Sequence, residues 1–463
     1  MSRAHVAFAL LLYLGTLVGV GAWARRRHRD FRDYVTGGGA IPTWMLAVSF
    51  LGNFVSSNSF VGHAGKSYET GLVWLVVAAV MVGCYVVSWT VFAPRMARFA
   101  QETGASTLPD FFQHHFGSRG ITGAVHWIVV VATLLYVLAV LRGTATVVRW
   151  GLGIGYVEAL LVLYFVTVAY CIFGGMWADV STDVVQTAIL FVGAVALLFG
   201  VLHAAEHAPA VQPAALRVPP LALVLAVGLG GGVKLLIDPK QVAVFYGIGR
   251  GSRLRRWAWL GPIALAVIYL CLFPIGFLAR KILGGSPDLE QIVPILVFER
   301  RVLGGAMTVF FPIALLAASM SSLDSALLVI AACLEKHVAA PLLGLAPSTP
   351  RTRWLLLGAA TVALLLSIRP LGGIIRLTTF SGALLGATLL PALCAALFAI
   401  RVPARAVSAS IAAGLAGVLL GALGPRLGIA SPLFQDVFVG LAFSTVTLAI
   451  GAAARPGPVP AGE

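Results

Sequence analysis

The sequence has few charged residues: Asp, Glu, Lys and Arg make up 11% of its 463 residues, against roughly 25% in a typical soluble domain. Hydrophobic residues make up 59%, more than a soluble fold can cover with a polar surface. The composition excludes a soluble enzyme and a disordered chain. It predicts an all-α polytopic membrane protein with one transmembrane domain over residues 1–463.

Cysteine is also scarce, and the five cysteines lie in apolar runs without Cys-x-x-Cys spacing. This pattern is typical of small core residues and excludes a disulfide scaffold. The nine histidines are scattered apart from His114-His115. The sequence therefore shows no Cys/His dyad or histidine cluster that would favour an enzyme or a transition-metal site.

Thirteen apolar segments are long enough to cross a bilayer, which requires about 20 residues. They cover residues 4–23, 41–65, 71–93, 121–141, 156–173, 182–203, 219–246, 257–279, 303–334, 354–368, 371–398, 406–423 and 432–452. The first is an extra N-terminal helix and the last two, 406–452, follow the core. The Pro- and Gly-rich stretch 455–463 is predicted to be a short disordered tail.

The net charge of +15 comes mainly from basic residues in short loops. No basic and aromatic surface alternates, so we expect membrane lipid and no nucleic acid as a partner. Five arginines between residues 25 and 32 follow the first segment, whereas only Arg3 precedes it. The positive-inside rule then predicts a bacterial-type inner membrane protein with its N-terminus outside and its C-terminus in the cytoplasm. The oligomeric state stays open.

Two segments are predicted to be interrupted in mid-membrane. The second contains a polar stretch, residues 52–59, and the seventh contains Gly228 and Gly230–Gly232 followed by Lys234, Asp238 and Pro239. Backbone groups freed in lipid need a cavity or a ligand. The alternative is that the small residues only allow close helix packing.

The spacing of the two interruptions predicts an internal repeat. Five segments lie in residues 41–203 and five in 219–398, and each group begins with its interrupted helix. An odd number of crossings turns the second copy upside down in the membrane. Such 5+5 inverted repeats place a binding site at the midplane, where helix ends offer N–H groups to anions and carbonyls to cations.

Charged residues within the segments need partners, because each costs about 2.5–3.5 kcal/mol at the membrane centre. Asp324 lies beside Ser321, Ser322 and Ser325, a set of oxygens suited to a cation such as Na⁺. Asp183 could instead be a helix N-cap.

Two lysines leave similar alternatives. Lys234 could pair with Asp238 along one helix face, or it could face an anionic substrate. Lys240 could extend toward the cytoplasm.

Five stretches in order resemble the sodium/solute symporter family, which has the leucine-transporter-type inverted-repeat fold. They are Asp33–Gly39, Phe60–Gly65, Thr107–Phe112, Phe173–Gly175 with Thr182–Gln186, and Ala317–Ser322. The likeness covers roughly residues 30–400. Residues 55–62 look most like the pantothenate and carboxylate branch.

The resemblance implies the ligands of a principal sodium ion. They are the backbone oxygens of Gly52, Val55 and Ala318 and the hydroxyls of Ser321 and Ser322.

Members with a second sodium ion bind it near the positions of Asp183, Asp324 and Ser325. The family has a small residue at position 324, so the Asp here leaves open whether this position serves a second cation or a proton.

The resemblance implies a substrate site near Ser56, Ser59, Lys234 and Asp238. We therefore expect a secondary active symporter that uses Na⁺ as its coupling ion and imports a small organic solute by alternating access. Lys234 favours a solute with a carboxylate. The alternatives are a proton-coupled carrier that uses Asp324 and a membrane sensor module, for which no soluble output domain follows residue 455.

Overall fold

The structure, a computed structural model, describes residues 3–454 except 25–29, 57, 210, 213–214, 370, 430 and 432. The arginines at 25–29 and the predicted tail 455–463 lie outside the described residues. The described part is helical and contains no strand. Its α-helices are α1 Arg3–Ala24, α2 Phe31–Thr36, α3 Thr43–Phe54, α4 His63–Thr70, α5 Leu75–Val87, α6 Ala93–Thr103, α7 Leu108–Phe116, α8 Arg119–Leu152, α9 Tyr156–His207, α10 Leu221–Gly232, α11 Lys234–Ile237, α12 Pro239–Tyr246, α13 Leu254–Trp257, α14 Leu260–Leu272, α15 Pro274–Leu283, α16 Ile292–Pro294, α17 Ala306–Leu334, α18 Ala340–Leu343, α19 Thr349–Ser367, α20 Ile374–Leu397, α21 Ala404–Leu423 and α22 Asp436–Ala453.

The predicted all-α membrane fold is confirmed, but the count of thirteen crossings is not. Within the described residues, nine helices are long and apolar enough to span a membrane, or ten if a pair bent by 110° is one span. All thirteen predicted segments overlap helices.

The second predicted segment is interrupted as expected. α3 ends at Phe54, Val55 has an extended backbone, and the chain resumes as a π-helical turn at Asn58–Gly62 that leads into α4. The last carbonyls of a helix have no partner in the following turn. The end of α3 therefore presents backbone oxygens in the protein interior.

The seventh segment is also interrupted, but not at its glycines. Gly228 and Gly230–Gly232 lie in α10, and the helix breaks at Asp238, which has an extended ψ of 126° and caps α12. Proline excludes its predecessor from the helical region and lacks an N–H, so Pro239 sets the break. The glycines allow close packing instead, because a Cβ on Gly230 would lie 2.8 Å from Cγ2 of Thr379 and a Cβ on Gly232 would lie 2.7 Å from the Cys84 sulfur.

A third interruption divides α9 into the two segments predicted at 156–173 and 182–203. Gly175 has φ 55° and ψ −161°, a conformation that only glycine adopts readily. A Cβ at this position would lie 2.6 Å from the Tyr34 carbonyl oxygen. The break at Gly175 therefore lies directly against α2.

Among the described membrane-length helices, the span that contains α17 is the most buried: 94% of its apolar 18-residue stretch lies inside the protein. It packs against α8, α9 and α3, so side chains from its middle meet the end of α3 and the second half of α9. α21 and α22 pack against each other and against α20, outside this central group.

Candidate functional site

A cluster of oxygens lies where α17 meets the end of α3. The Ser321 hydroxyl donates to the Gly52 carbonyl at 2.9 Å and lies 3.3 Å from the Ala318 carbonyl. The Ser322 hydroxyl donates to the Asn53 carbonyl at 3.0 Å. All five residues are buried. Hydroxyls and freed carbonyls in one buried cluster are the ligands that a hard cation prefers.

Four of the predicted sodium ligands, Gly52, Ala318, Ser321 and Ser322, thus lie in this cluster. Val55 is buried at the break itself. Gly52 has no space for a side chain, because a Cβ there would lie 2.5 Å from the Thr187 hydroxyl oxygen.

Three buried carboxylates lie next to this cluster. Oxygens of Asp179, Asp183 and Asp324 all lie within 4.8 Å of one another. Ser325 donates to Asp179 at 2.7 Å from either carboxylate oxygen, and its own backbone N–H donates to Asp324 at 2.9 Å. The predicted trio Asp183, Asp324 and Ser325 is therefore one group, and Asp179 is a member that the sequence analysis missed.

Asp183 connects the carboxylates to the end of α3. One of its oxygens accepts from Ser49 at 2.5 Å and from the Asn53 amide at 3.2 Å, and the other has no hydrogen-bond partner among the described residues. Asp183 lies eight residues past the break at Gly175, well inside the helix, so the alternative of a helix N-cap is wrong. Like charges this close need a cation or a proton among them.

A cavity lies between the two interrupted helices. The four predicted substrate residues, Ser56, Ser59, Lys234 and Asp238, all line it. The other lining residues come from the first break and from α4, α5, α8, α10, α12, α14 and α20: Phe54, Asn58, His63, Met81, Tyr136, Val227, Gly231, Lys240, Tyr269, Ile375, Thr378 and Thr379.

Lys234 places a charged group in the wall of this cavity. Its side chain is buried, and its ammonium nitrogen has no hydrogen-bond partner among the described residues. It lies 4.4 Å from the centre of the Tyr136 ring, a contact worth about 2 kcal/mol or more when dry. The predicted alternative of a pair with Asp238 is wrong, because Asp238 lies 3.9 Å from Lys240 instead.

The prediction that Lys240 extends toward the cytoplasm is wrong. Its ammonium group is buried, lies 3.9 Å from the centre of the Tyr136 ring and donates to the Asn53 carbonyl at 3.0 Å. Gln241 donates to the Phe50 carbonyl at 3.2 Å. The two interrupted helices are therefore bonded to each other directly, through the start of α12 and the end of α3.

An ion pair links two of the helices that contribute residues to the cavity wall. Arg142 of α8 lies 2.8 Å from Glu290, and the other Glu290 oxygen accepts from the Ile374 N–H at 3.0 Å, where α20 begins. The next residue, Ile375, lines the cavity. Glu290 thus joins the loop after α15 to two helices of the cavity wall.

Two interrupted helices around a buried polar cavity define a secondary transporter of the broken-helix class. The model of the sodium:solute symporter family matches residues 34–414, and the chain belongs to this family. The predicted family, the integral membrane character and sodium as coupling ion are confirmed. The protein is a sodium-coupled symporter of a small solute and is not an enzyme.

Curated relatives are sodium/pantothenate symporters. That of Haemophilus influenzae is 25% identical over 348 residues, 70% of each chain. That of Escherichia coli is 28% identical over 204 residues, 43% of this chain and 42% of the relative.

Two solved transporters share the fold. A Na⁺-coupled sialic acid symporter, in a substrate-bound outward-open state, superposes with a TM-score of 0.82 at 17% identity over 97% of each chain. Mhp1, a nucleobase-cation-symport-1 family transporter in a closed conformation, gives 0.51 at 14% identity over 91% of this chain and 95% of its own. The leucine-transporter-type fold expected from the sequence is thereby confirmed.

Proposed function

We propose that this symporter imports a small organic anion, one that carries a carboxylate, together with Na⁺ by alternating access. The observation that carries the proposal is the Lys234 ammonium group, buried in the cavity wall without a hydrogen-bond acceptor. A buried ammonium group without a hydrogen-bond acceptor is costly, and a bound carboxylate would supply the missing acceptor. Ser56 and Ser59 would bind the rest of the solute.

The relatives support an anionic solute. Pantothenate and sialic acid both carry a carboxylate, and the transporters named for them resemble this chain in sequence and in fold, respectively.

The principal sodium ion would bind the carbonyls of Gly52, Val55 and Ala318 and the hydroxyls of Ser321 and Ser322. Gly52 and Val55 belong to the same break as the substrate residues Ser56 and Ser59, so an ion that orders this break also prepares the substrate site. Coupling requires that the substrate binds with different affinity to the sodium-bound and the sodium-free protein. The membrane potential then adds about 2.3 kcal/mol per charge per 100 mV.

Asp183, Asp324 and Ser325 would form the second site, which binds another Na⁺ or a proton. Asp179 supports it through its contact with Ser325. Two uptake measurements distinguish Na⁺ from a proton at this second site. One is driven by a Na⁺ gradient at equal pH, and the other by a pH gradient without Na⁺. Sodium at both sites predicts no uptake in the second condition, for wild type and for Asp324→Asn. Proton-driven uptake that Asp324→Asn abolishes would support the proton-coupled carrier instead.

We also propose the orientation of the chain in the membrane and the limits of its two repeats. The N-terminus would lie outside, residues 41–203 and 219–398 would form the inverted repeats, and the pair Arg142–Glu290 would then close the outer side of the cavity.

Lys234→Met tests the substrate assignment. A screen of small carboxylates that includes sialic acid comes first. Uptake and binding of pantothenate are then compared with those of pantothenol, the alcohol that lacks the carboxylate. Loss of a hydrogen bond to a charged group costs about 1.5–3 kcal/mol, so affinity for the carboxylate substrate should fall roughly 10- to 150-fold.

Lys281→Met, which changes an exposed lysine at the end of α15, is the matched control and should leave affinity unchanged. Equal affinity of wild type and Lys234→Met for the same carboxylate would contradict the proposal.

A further inference from the structure

The last turn of α9 carries three metal-binding side chains on one face. His203, Glu206 and His207 are exposed, and one ligand atom of each lies within 4.8 Å of the other two. Glu206 and His207 lie three and four residues after His203, so both are its neighbours one turn along the helix. Residues 203–207 read His-Ala-Ala-Glu-His, which corrects the expectation of scattered histidines.

The two histidine rings are in contact with each other. Their centres are 4.4 Å apart. The Nδ1 atom of His207 lies 2.8 Å from the His203 carbonyl oxygen. Because a carbonyl only accepts, Nδ1 carries the proton and Nε2 is left with its lone pair. A backbone carbonyl that holds the second ring nitrogen in this way is the usual support of a metal-binding histidine.

We propose that His203, Glu206 and His207 bind one transition-metal ion of the zinc type at the end of α9. Imidazole nitrogens favour zinc, copper and nickel over sodium, magnesium and calcium, which prefer oxygen ligands. Three protein ligands leave a coordination position for water. The site is separate from the buried carboxylates, which offer oxygen alone.

The bound ion would stabilise the end of α9. It would link residues one turn apart where the helix stops at His207. Gly200, one turn earlier, packs on the segment before α17: a Cβ there would lie 2.6 Å from the Val302 carbonyl oxygen. A ligand that binds the folded helix end raises the stability of that end by mass action.

The test uses the full-length protein without a histidine tag, purified in detergent and freed of metal with a chelator. Zn²⁺ binding is measured by calorimetry, and the visible absorption of added Co²⁺ reports nitrogen coordination. Wild type should bind one Zn²⁺ per chain at this site. His203→Ala or His207→Ala should weaken binding by more than about tenfold, and Glu206→Gln by less.

His114→Ala, which removes an exposed histidine in α7, is the matched control and should bind Zn²⁺ like wild type. Thermal unfolding in chelator should be the same for all variants, which shows that they are folded. Zn²⁺ binding that survives in the double variant His203→Ala/His207→Ala, or no saturable binding by wild type, would overturn the proposal.

Discussion

Removing either hydroxyl of the serine pair on α17 should raise the sodium requirement of transport. In Ser321→Ala and Ser322→Ala the proposed sodium site loses one of its five oxygens. An interaction between a hydroxyl and a charged group contributes about 1.5–3 kcal/mol. The sodium concentration for half-maximal uptake should therefore rise roughly 10- to 150-fold.

The chain offers a matched control two residues away. Ser319 is buried in the same helix, but its hydroxyl donates to the Leu315 carbonyl of its own helix at 2.8 Å. By contrast, Ser321 and Ser322 reach the carbonyls of Gly52 and Asn53. Ser319→Ala should therefore keep the sodium requirement of wild type.

The assay is the initial rate of substrate uptake into proteoliposomes, measured against external Na⁺ with choline as the replacement cation. Protein thermal stability with and without Na⁺ is measured alongside, because Ser321→Ala also leaves the Gly52 carbonyl without its donor. If both variants show the half-saturating Na⁺ concentration of wild type, α17 does not bind sodium. An equal shift in Ser319→Ala would mean that the effect reflects packing.

Two further predictions concern the ends of helices. Gly52→Ala should abolish sodium-dependent uptake in protein that still inserts and folds, because its Cβ would lie 2.5 Å from the Thr187 hydroxyl oxygen; normal uptake would show that the end of α3 yields. On α7, burial raises the pKa of Asp110, but the Lys336 ammonium group 2.8 Å away, the Ser106 N–H and His337 together outweigh burial, and the net pKa lies below the ordinary 3.8. The charged form is thus the stabilising one, so Asp110→Asn should cost about 1–3 kcal/mol at neutral pH. In thermal unfolding measured against pH, the difference from wild type should shrink as the pH falls through the folded pKa; a difference that grows in acid would refute the pairing.

Polar residues within apolar segments were the informative part of the sequence. The stretch at 52–59 and the pair Ser321-Ser322 depart from their surroundings locally, so both could be located without knowing their partners. The break in the seventh segment was placed less well. Glycine is compatible with a membrane helix when a neighbour packs closely, whereas Asp238-Pro239 ends the helix through its own backbone chemistry.

Partners across the fold could not be predicted in the same way. Lys240 is a lysine near a helix end by sequence, and only the approach of α12 to α3 shows that it binds the Asn53 carbonyl. Tyr136, between the two lysines, carries no local signal. Asp179 lies one helical turn before Asp183, a spacing that could have indicated it once the Gly175 break was known.

The direct test of sodium coupling is uptake of a carboxylate solute into proteoliposomes that contain only this protein. With Na⁺ outside, K⁺ inside and equal pH, the solute should accumulate above its external concentration, and K⁺ on both sides should abolish accumulation. Equal accumulation in the two conditions would contradict the account.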